Sequence, residues 1–128
     1  MILNRGMGNS NRLLSEASLA ALTSADAAPN NAVTSLLTTD PTKSNSGEFF
    51  PGIAKRQSLG FLVNEAEAPT GRSPNSLAWA GIFNTYYWID PTRDVGGVYL
   101  TQIFPFLDAV ALPHFLEFET AVYRAMRR

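Results

Sequence analysis

The chain has 128 residues, 45% of them hydrophobic and 16% charged, which suits a single globular unit over residues 1–128 and argues against global disorder. Ten basic and eleven acidic side chains leave a net charge of −1, so no strong field gathers phosphates or an anionic lipid surface, and neither nucleic acid nor a membrane is an expected partner. There is no cysteine and a single histidine, which removes disulfides, thiolate nucleophiles and Cys- or His-based metal clusters; no metal and no cofactor is expected.

Residues 1–6 read as the last turn of a helix, with Gly6 where a left-handed C-terminal cap would sit. The turn-rich Gly8-Asn9-Ser10-Asn11 follows, and then a short helix from Ser15 to Leu22. Ser15 can accept from first-turn N–H groups, Glu16 complements the helix dipole, and Leu19 and Leu22 give an apolar stripe. A helix this short is marginal alone and must pack on something larger. Across residues 24–47 the composition shifts to Ser, Thr, Asn, Asp, Ala and Pro, with Val33, Leu36 and Leu37 as apolar anchors, so a long flexible loop is expected there, an insertion or a lid. No signal-peptide run follows Met1, and no window reaches the roughly 18 apolar residues of a membrane span. A soluble, cytoplasmic chain is the expectation.

Pro51-Gly52 marks a turn, and Leu59 to Val63 has strand character until "EAEAPTGRSPN" breaks it. Three further strands are predicted, Leu77 to Ile82, Thr85 to Asp90 and Val98 to Ile103, with connections too short for helical crossovers and therefore antiparallel. Alternation puts Tyr86 and Trp88 on one face and Tyr87 and Ile89 on the other. Asp90-Pro91-Thr92-Arg93-Asp94 reads as a turn, with Gly96-Gly97 relaxing the entry to the next strand. The tail is helical, with Phe115, Phe118, Val122 and Met126 at three- and four-residue spacing and Glu117, Glu119 and Arg124 away from that stripe. Pro113 suits its first turn, and Arg124, Arg127 and Arg128 its last. The fold class expected is α+β: an antiparallel sheet of about four strands with the C-terminal helix on one face.

Few residues suggest chemistry. His114, beside Pro113 at a helix start, reads as a surface or capping residue, and Glu65 and Glu67 as a solvated acidic patch rather than an acid and base pair. The glycines of "RGMGNSN" do not make a phosphate loop. A Ser-x-x-Lys pair is absent, because Lys43 and Lys55 are preceded at that spacing by Asp40 and Gly52. Trp79-Ala80-Gly81 stands apart: the strand gives up side-chain bulk directly after a tryptophan, as strands do where something approaches the backbone.

"GFLVNEAEAPTGRSPNSLAWAGIFNTYYWIDPTRDVGGVYLTQIFP", followed by "FLEFETAVYRAM", resembles the C-terminal part of serine hydrolases related to class C β-lactamases, and more narrowly their family VIII carboxylesterase branch. "MILNRGMGNSNRLLSEASLAALTS" is similar to the same family upstream, and the likeness is weakest across residues 24–47. The resemblance implies a partial β-lactamase/transpeptidase-like α/β sandwich. It also implies three motifs: Ser-x-x-Lys, a tyrosine element, and a Lys-, His- or Trp-x-Gly strand. Only the third is visible, as Trp79-Ala80-Gly81; neither Tyr86 nor Tyr123 matches the second, so no catalytic residue is expected in this chain.

By that analogy Gly81 lets a substrate lie against the strand, and the N–H of Ile82 is one of two donors to a developing oxyanion. Trp79 stands where many penicillin-recognising enzymes carry a lysine, which favours neutral acyl esters over penicillins. The implied parent is a serine hydrolase working through an acyl-serine intermediate, with a small acyl ester as substrate and the isolated chain inactive. The further partners expected are a separate N-terminal half, or a second copy meeting an exposed apolar face. The alternative function is a non-catalytic binding or scaffolding module built on the same sheet and helix.

Overall fold

The computed structural model describes residues 1–26 and 29–127. Its elements in chain order are β1 (Met7–Gly8), β2 (Asn11–Arg12), α1 (Glu16–Thr23), β3 (Lys55–Gln57), β4 (Leu62–Asn64), β5 (Leu77–Gly81), β6 (Thr85–Asp90), β7 (Val95–Tyr99) and α2 (Ala111–Met126). β1 and β2 pair with each other, while β3 to β7 form a five-stranded antiparallel sheet in chain order. Ser15 caps α1 as expected, its Oγ accepting from the Ser18 N–H at 3.0 Å. Gly6 adopts φ 86°, and its N–H donates to the Met1 carbonyl at 3.1 Å, which closes the opening turn.

Three strand expectations are corrected. The strand predicted from Leu59 begins only at Leu62, because Ser58 to Phe61 is a turn: the Ser58 N–H donates to the Phe61 carbonyl at 2.8 Å, and Ser58 Oγ accepts from the Phe61 N–H at 2.9 Å. The strand predicted over 98–103 lies at Val95–Tyr99. Gly97 sits under the Trp88 indole, where any Cβ would collide with the ring, so this glycine belongs inside the strand. β3 was not expected from Lys-Arg-Gln. Its Lys55 is buried because Nζ donates to Glu48 Oε1 at 2.8 Å and to the Phe50 carbonyl at 3.1 Å.

The alternation along β6 builds a core on each face of the sheet. Tyr86 and Trp88, with Ala78, pack on Phe115 and Tyr123 of α2, and the Tyr86 and Phe115 rings stack at 4.8 Å. Tyr87 and Ile89 pack with Phe61, Val63 and Leu77 under Ile2, Leu22 and Ala25. Burial of each large apolar side chain stabilises by roughly 1.5–3 kcal/mol, so this one strand ties the two outer layers together.

The buried stripe of α2 is Ala111, Phe115, Glu119 and Tyr123. Phe118 and Met126, expected on that stripe, are 40% and 46% exposed, whereas Glu119, expected off it, is fully buried. Arg72 reverses the expectation: its Nε and Nη2 meet the two Glu119 carboxylate oxygens at 2.6 and 2.7 Å, and the Thr70 hydroxyl donates to Oε1 at 3.0 Å. Asp90 anchors the far end of the helix. It accepts from the Ser73 N–H and the Tyr123 hydroxyl on one oxygen and from the Thr92 and Arg93 N–H groups on the other. Burial pushes its carboxyl up, but these hydrogen bonds outweigh that and hold it below its ordinary value.

Residues 29–47 contain no helix or named strand, yet they are fastened at both ends. Val33 donates to the Lys55 carbonyl at 2.9 Å, and Leu36 and Gly47 exchange bonds of 2.8 and 3.0 Å. Lys43 and Asn45 flank Phe106, with bonds of 2.9 and 2.8 Å. Residues 27 and 28 of the expected loop, and Arg128 at the helix end, lie outside the described residues.

Candidate functional site: an open strand edge beside a small cavity

β5 pairs with β6 along Leu77–Gly81 but with β4 only at Leu77 and Ala78, because the Ser58–Phe61 turn ends the neighbouring strand. From Trp79 onward that edge of β5 has no strand partner among the described residues. Trp79 and Ile82 are 41% and 47% exposed, and the Ile82 N–H has no acceptor among the described residues. A cavity of about 160 Å³ lies alongside, lined by Trp79, Ala80, Gly81 and Ile82 together with Leu36, Ser44, Phe49 and Phe106. The structure therefore brings the three sequence-derived site residues, Trp79, Gly81 and Ile82, onto one cavity wall.

Gly81 also answers a demand inside the chain. A Cβ at this position would collide with Oγ1 of Thr85, its partner across the hairpin. The hairpin is closed by Asn84, at φ 60°, whose N–H donates to the Gly81 carbonyl at 3.0 Å.

Sequence reasoning missed Asn84. Its side chain is fully buried, with Nδ2 donating to the Ile103 and Pro105 carbonyls at 2.8 Å each; Oδ1 accepts from the Tyr86 hydroxyl at 2.6 Å and the Asp108 N–H at 3.0 Å. Every hydrogen-bonding position of the amide is used, so Asn84 fixes the 103–108 segment that carries Phe106 into the cavity wall. An asparagine between two strands signals a tight turn, but partners some 20 residues away leave no local trace.

Among the described residues, no charged side chain lines the wall. His114 is exposed on the first turn of α2, Glu65 pairs with Arg56 at 2.7 Å, and Glu67 approaches Arg127 at 3.9 Å; none of them lines the cavity. Burial, with the charge of Asp108 and the neighbouring Tyr99, pushes the Tyr86 hydroxyl up to about 12, and its proton is committed to Asn84. The Tyr123 hydroxyl is raised further, by burial first and then by Asp90. Neither tyrosine is suited to proton transfer near neutral pH. The Ser44 hydroxyl donates to the Asn45 carbonyl at 3.0 Å and has no histidine, lysine or tyrosine bonded to it among the described residues. The site offers an uncharged, mostly apolar lining beside an Ile82 N–H without an acceptor, and among the described residues it holds no activated nucleophile.

No family model matches the chain, and no curated protein matches it. Two solved structures of simvastatin synthase LovD from Aspergillus terreus do share its fold. The LovD9 mutant gives a TM-score of 0.69 at 18% identity over 98% of this chain and 32% of its own. The unliganded selenomethionyl form gives 0.65 at 20% identity, over 95% of this chain and 31% of its own. The chain thus spans about a third of the length of the structures it matches. Identity this low speaks to fold alone, and with the antiparallel sheet and the C-terminal helix on its face the conclusion is that the chain carries part of a β-lactamase-like fold.

Proposed function

We propose that this chain is the C-terminal portion of a serine hydrolase of β-lactamase-like fold whose complete form cleaves neutral acyl esters. In that reaction a serine oxygen from outside residues 1–128 attacks the ester carbonyl, the alkoxide leaves with a proton, and water then discharges the acyl-serine. Trp79, Gly81 and Ile82 form one wall, with the Ile82 N–H as one oxyanion donor. The lysine and tyrosine, like the serine, come from elsewhere. The observation that carries this reading is that, among the described residues, the Ile82 N–H at the open end of β5 has no acceptor and the cavity beside it has no charged lining.

p-Nitrophenyl acetate and butyrate test it. The chain alone should give no turnover. Joined to an upstream segment carrying Ser-x-x-Lys and a catalytic tyrosine it should hydrolyse both, and a backbone ester in place of the Ile82 amide should lower kcat by about 10²–10³. Turnover by the chain alone, or a joined enzyme indifferent to the ester, overturns the proposal.

A non-catalytic binding or scaffolding module is the second reading. It is favoured by an open groove of about 1100 Å³ along α2, bordered by Phe49, Leu112, Leu116 and Ala125, and by the 62% and 76% exposure of Val98 and Leu100 at the sheet edge. Concentration-dependent association by light scattering, with no esterase activity in the joined chain, would select it.

A further inference from the structure

We propose that the cavity beside β5 is a preformed subsite for the apolar part of an uncharged ester, a group the size of a benzene ring or a short branched alkyl. That the ligand is an ester rests on the function proposed above; that an uncharged apolar group binds here rests on the cavity itself. An enclosed apolar protein cavity of about 150 Å³ takes up benzene, and the space here is of comparable size but open to solvent past Trp79 and Ile82. The volume here is about 160 Å³, and beside Leu36, Phe49, Phe106 and residues Trp79 to Ile82, Ser44 carries the single side-chain hydroxyl on the wall among the described residues. The nearest lysine in sequence, Lys43, pairs with Asp40 at 2.9 Å and does not line the cavity. A carboxylate entering this space would give up part of its hydration and meet no cation among the described residues, so charge is selected against.

The walls are already set. Phe49 meets Tyr86 edge-on at 6.0 Å, Phe106 stacks on Tyr86 at 6.2 Å, and Leu36 is pinned by its paired bonds to Gly47. Phe106 is held from one side by Lys43 and Asn45 and from the other by Asn84 through Pro105. Little ordering remains to oppose binding. Ile82 is part of the same wall, and its N–H, without an acceptor among the described residues, is the donor assigned here to the ester carbonyl while the apolar part fills the space.

Amide NMR of the chain as it stands tests this without any chemistry. Methyl benzoate carries its ring on the acyl side, phenyl acetate on the alcohol side, and benzoate carries the same ring with a charge. At least one of the two esters should shift the Gly81, Ile82 and Ser44 amides saturably, with benzoate at least about tenfold weaker. The tighter ester tells which side of the bond the cavity holds. Leu36→Trp, which fills the space from the loop, should abolish the shifts, and Ser44→Leu provides a second filling variant should the first fail to fold. Equal binding of benzoate, shifts confined to the α2 groove, or binding that survives both fillings overturns the proposal. Esterase activity is not read in this experiment, so an inactive joined enzyme leaves a positive result standing, and a negative result leaves the acyl-serine reading to its own assay.

Discussion

Breaking the Arg72–Glu119 pair should cost a large part of the stability. Glu119→Leu leaves the Arg72 guanidinium, 3% exposed, and the Thr70 hydroxyl without their shared acceptor. Removing one partner of a buried ion pair costs about 3–5 kcal/mol, against roughly 5–15 kcal/mol for a whole domain. An unfolding entropy of about 2.1 cal/mol/K per residue converts each kcal/mol into about 4 °C for a chain of this size, so Tm should drop by roughly 12–20 °C. Arg72→Met strands the carboxylate instead and also gives up the guanidinium over the Phe50 ring, at 4.9 Å, so its loss should be at least as large. The double variant puts apolar volume on both sides and should recover most of the loss, with a coupling energy of at least about 2 kcal/mol. Urea unfolding followed by far-UV circular dichroism, at one protein concentration for all four proteins, measures the cycle. Single losses below about 1 kcal/mol, or a double variant that loses the sum of the two singles, would refute the assignment of a buried, mutually dependent pair.

Other outcomes follow from single contacts. Gly81→Ala should destabilise by about 1–3 kcal/mol through its clash with Thr85 Oγ1, and Thr85→Ala in the same chain should restore most of it; absence of rescue would place the need for glycine outside the hairpin. Gly97→Ala drives a methyl into the Trp88 indole and should cost a similar amount with loss of near-UV dichroism, whereas an unchanged spectrum would contradict the packing. Asp90 has a depressed folded-state pKa, so its contribution is present above the ordinary value of 3.8 and disappears as pH falls through the lower folded value. Between about pH 5 and pH 2 the wild-type chain should therefore lose more stability than Asp90→Asn, and parallel losses would show that the carboxylate is not the group being titrated.

One wall of the candidate cavity was partly legible in the sequence. Trp79 followed by Ala80 and Gly81 marks a strand that sheds bulk, and the structure shows an open edge and a small cavity there. The reason for Gly81 was not readable, since Thr85 becomes its partner only once the hairpin register is set. Nor was the opposite wall, because Leu36, Ser44 and Phe106 come from irregular segments held by backbone bonds that follow no periodicity.

By itself the sequence determined what local rules govern. Ser15 as a helix cap, the two-faced alternation of Thr85 to Asp90, the Asp90-Pro91 turn and a C-terminal helix all depend on neighbours within a few residues. Only the tertiary structure decided which residues pay a local penalty for a distant gain. Glu119 turns inward because Arg72 waits there, Gly97 enters a strand because the Trp88 indole occupies its Cβ side, and Lys-Arg-Gln pairs as β3 because Glu48 offsets the charge of Lys55 and backbone carbonyls accept its other hydrogen bonds. Asn84 orders a segment some 20 residues onward for the same reason: a buried polar group takes whatever partner the fold supplies, at any distance along the chain.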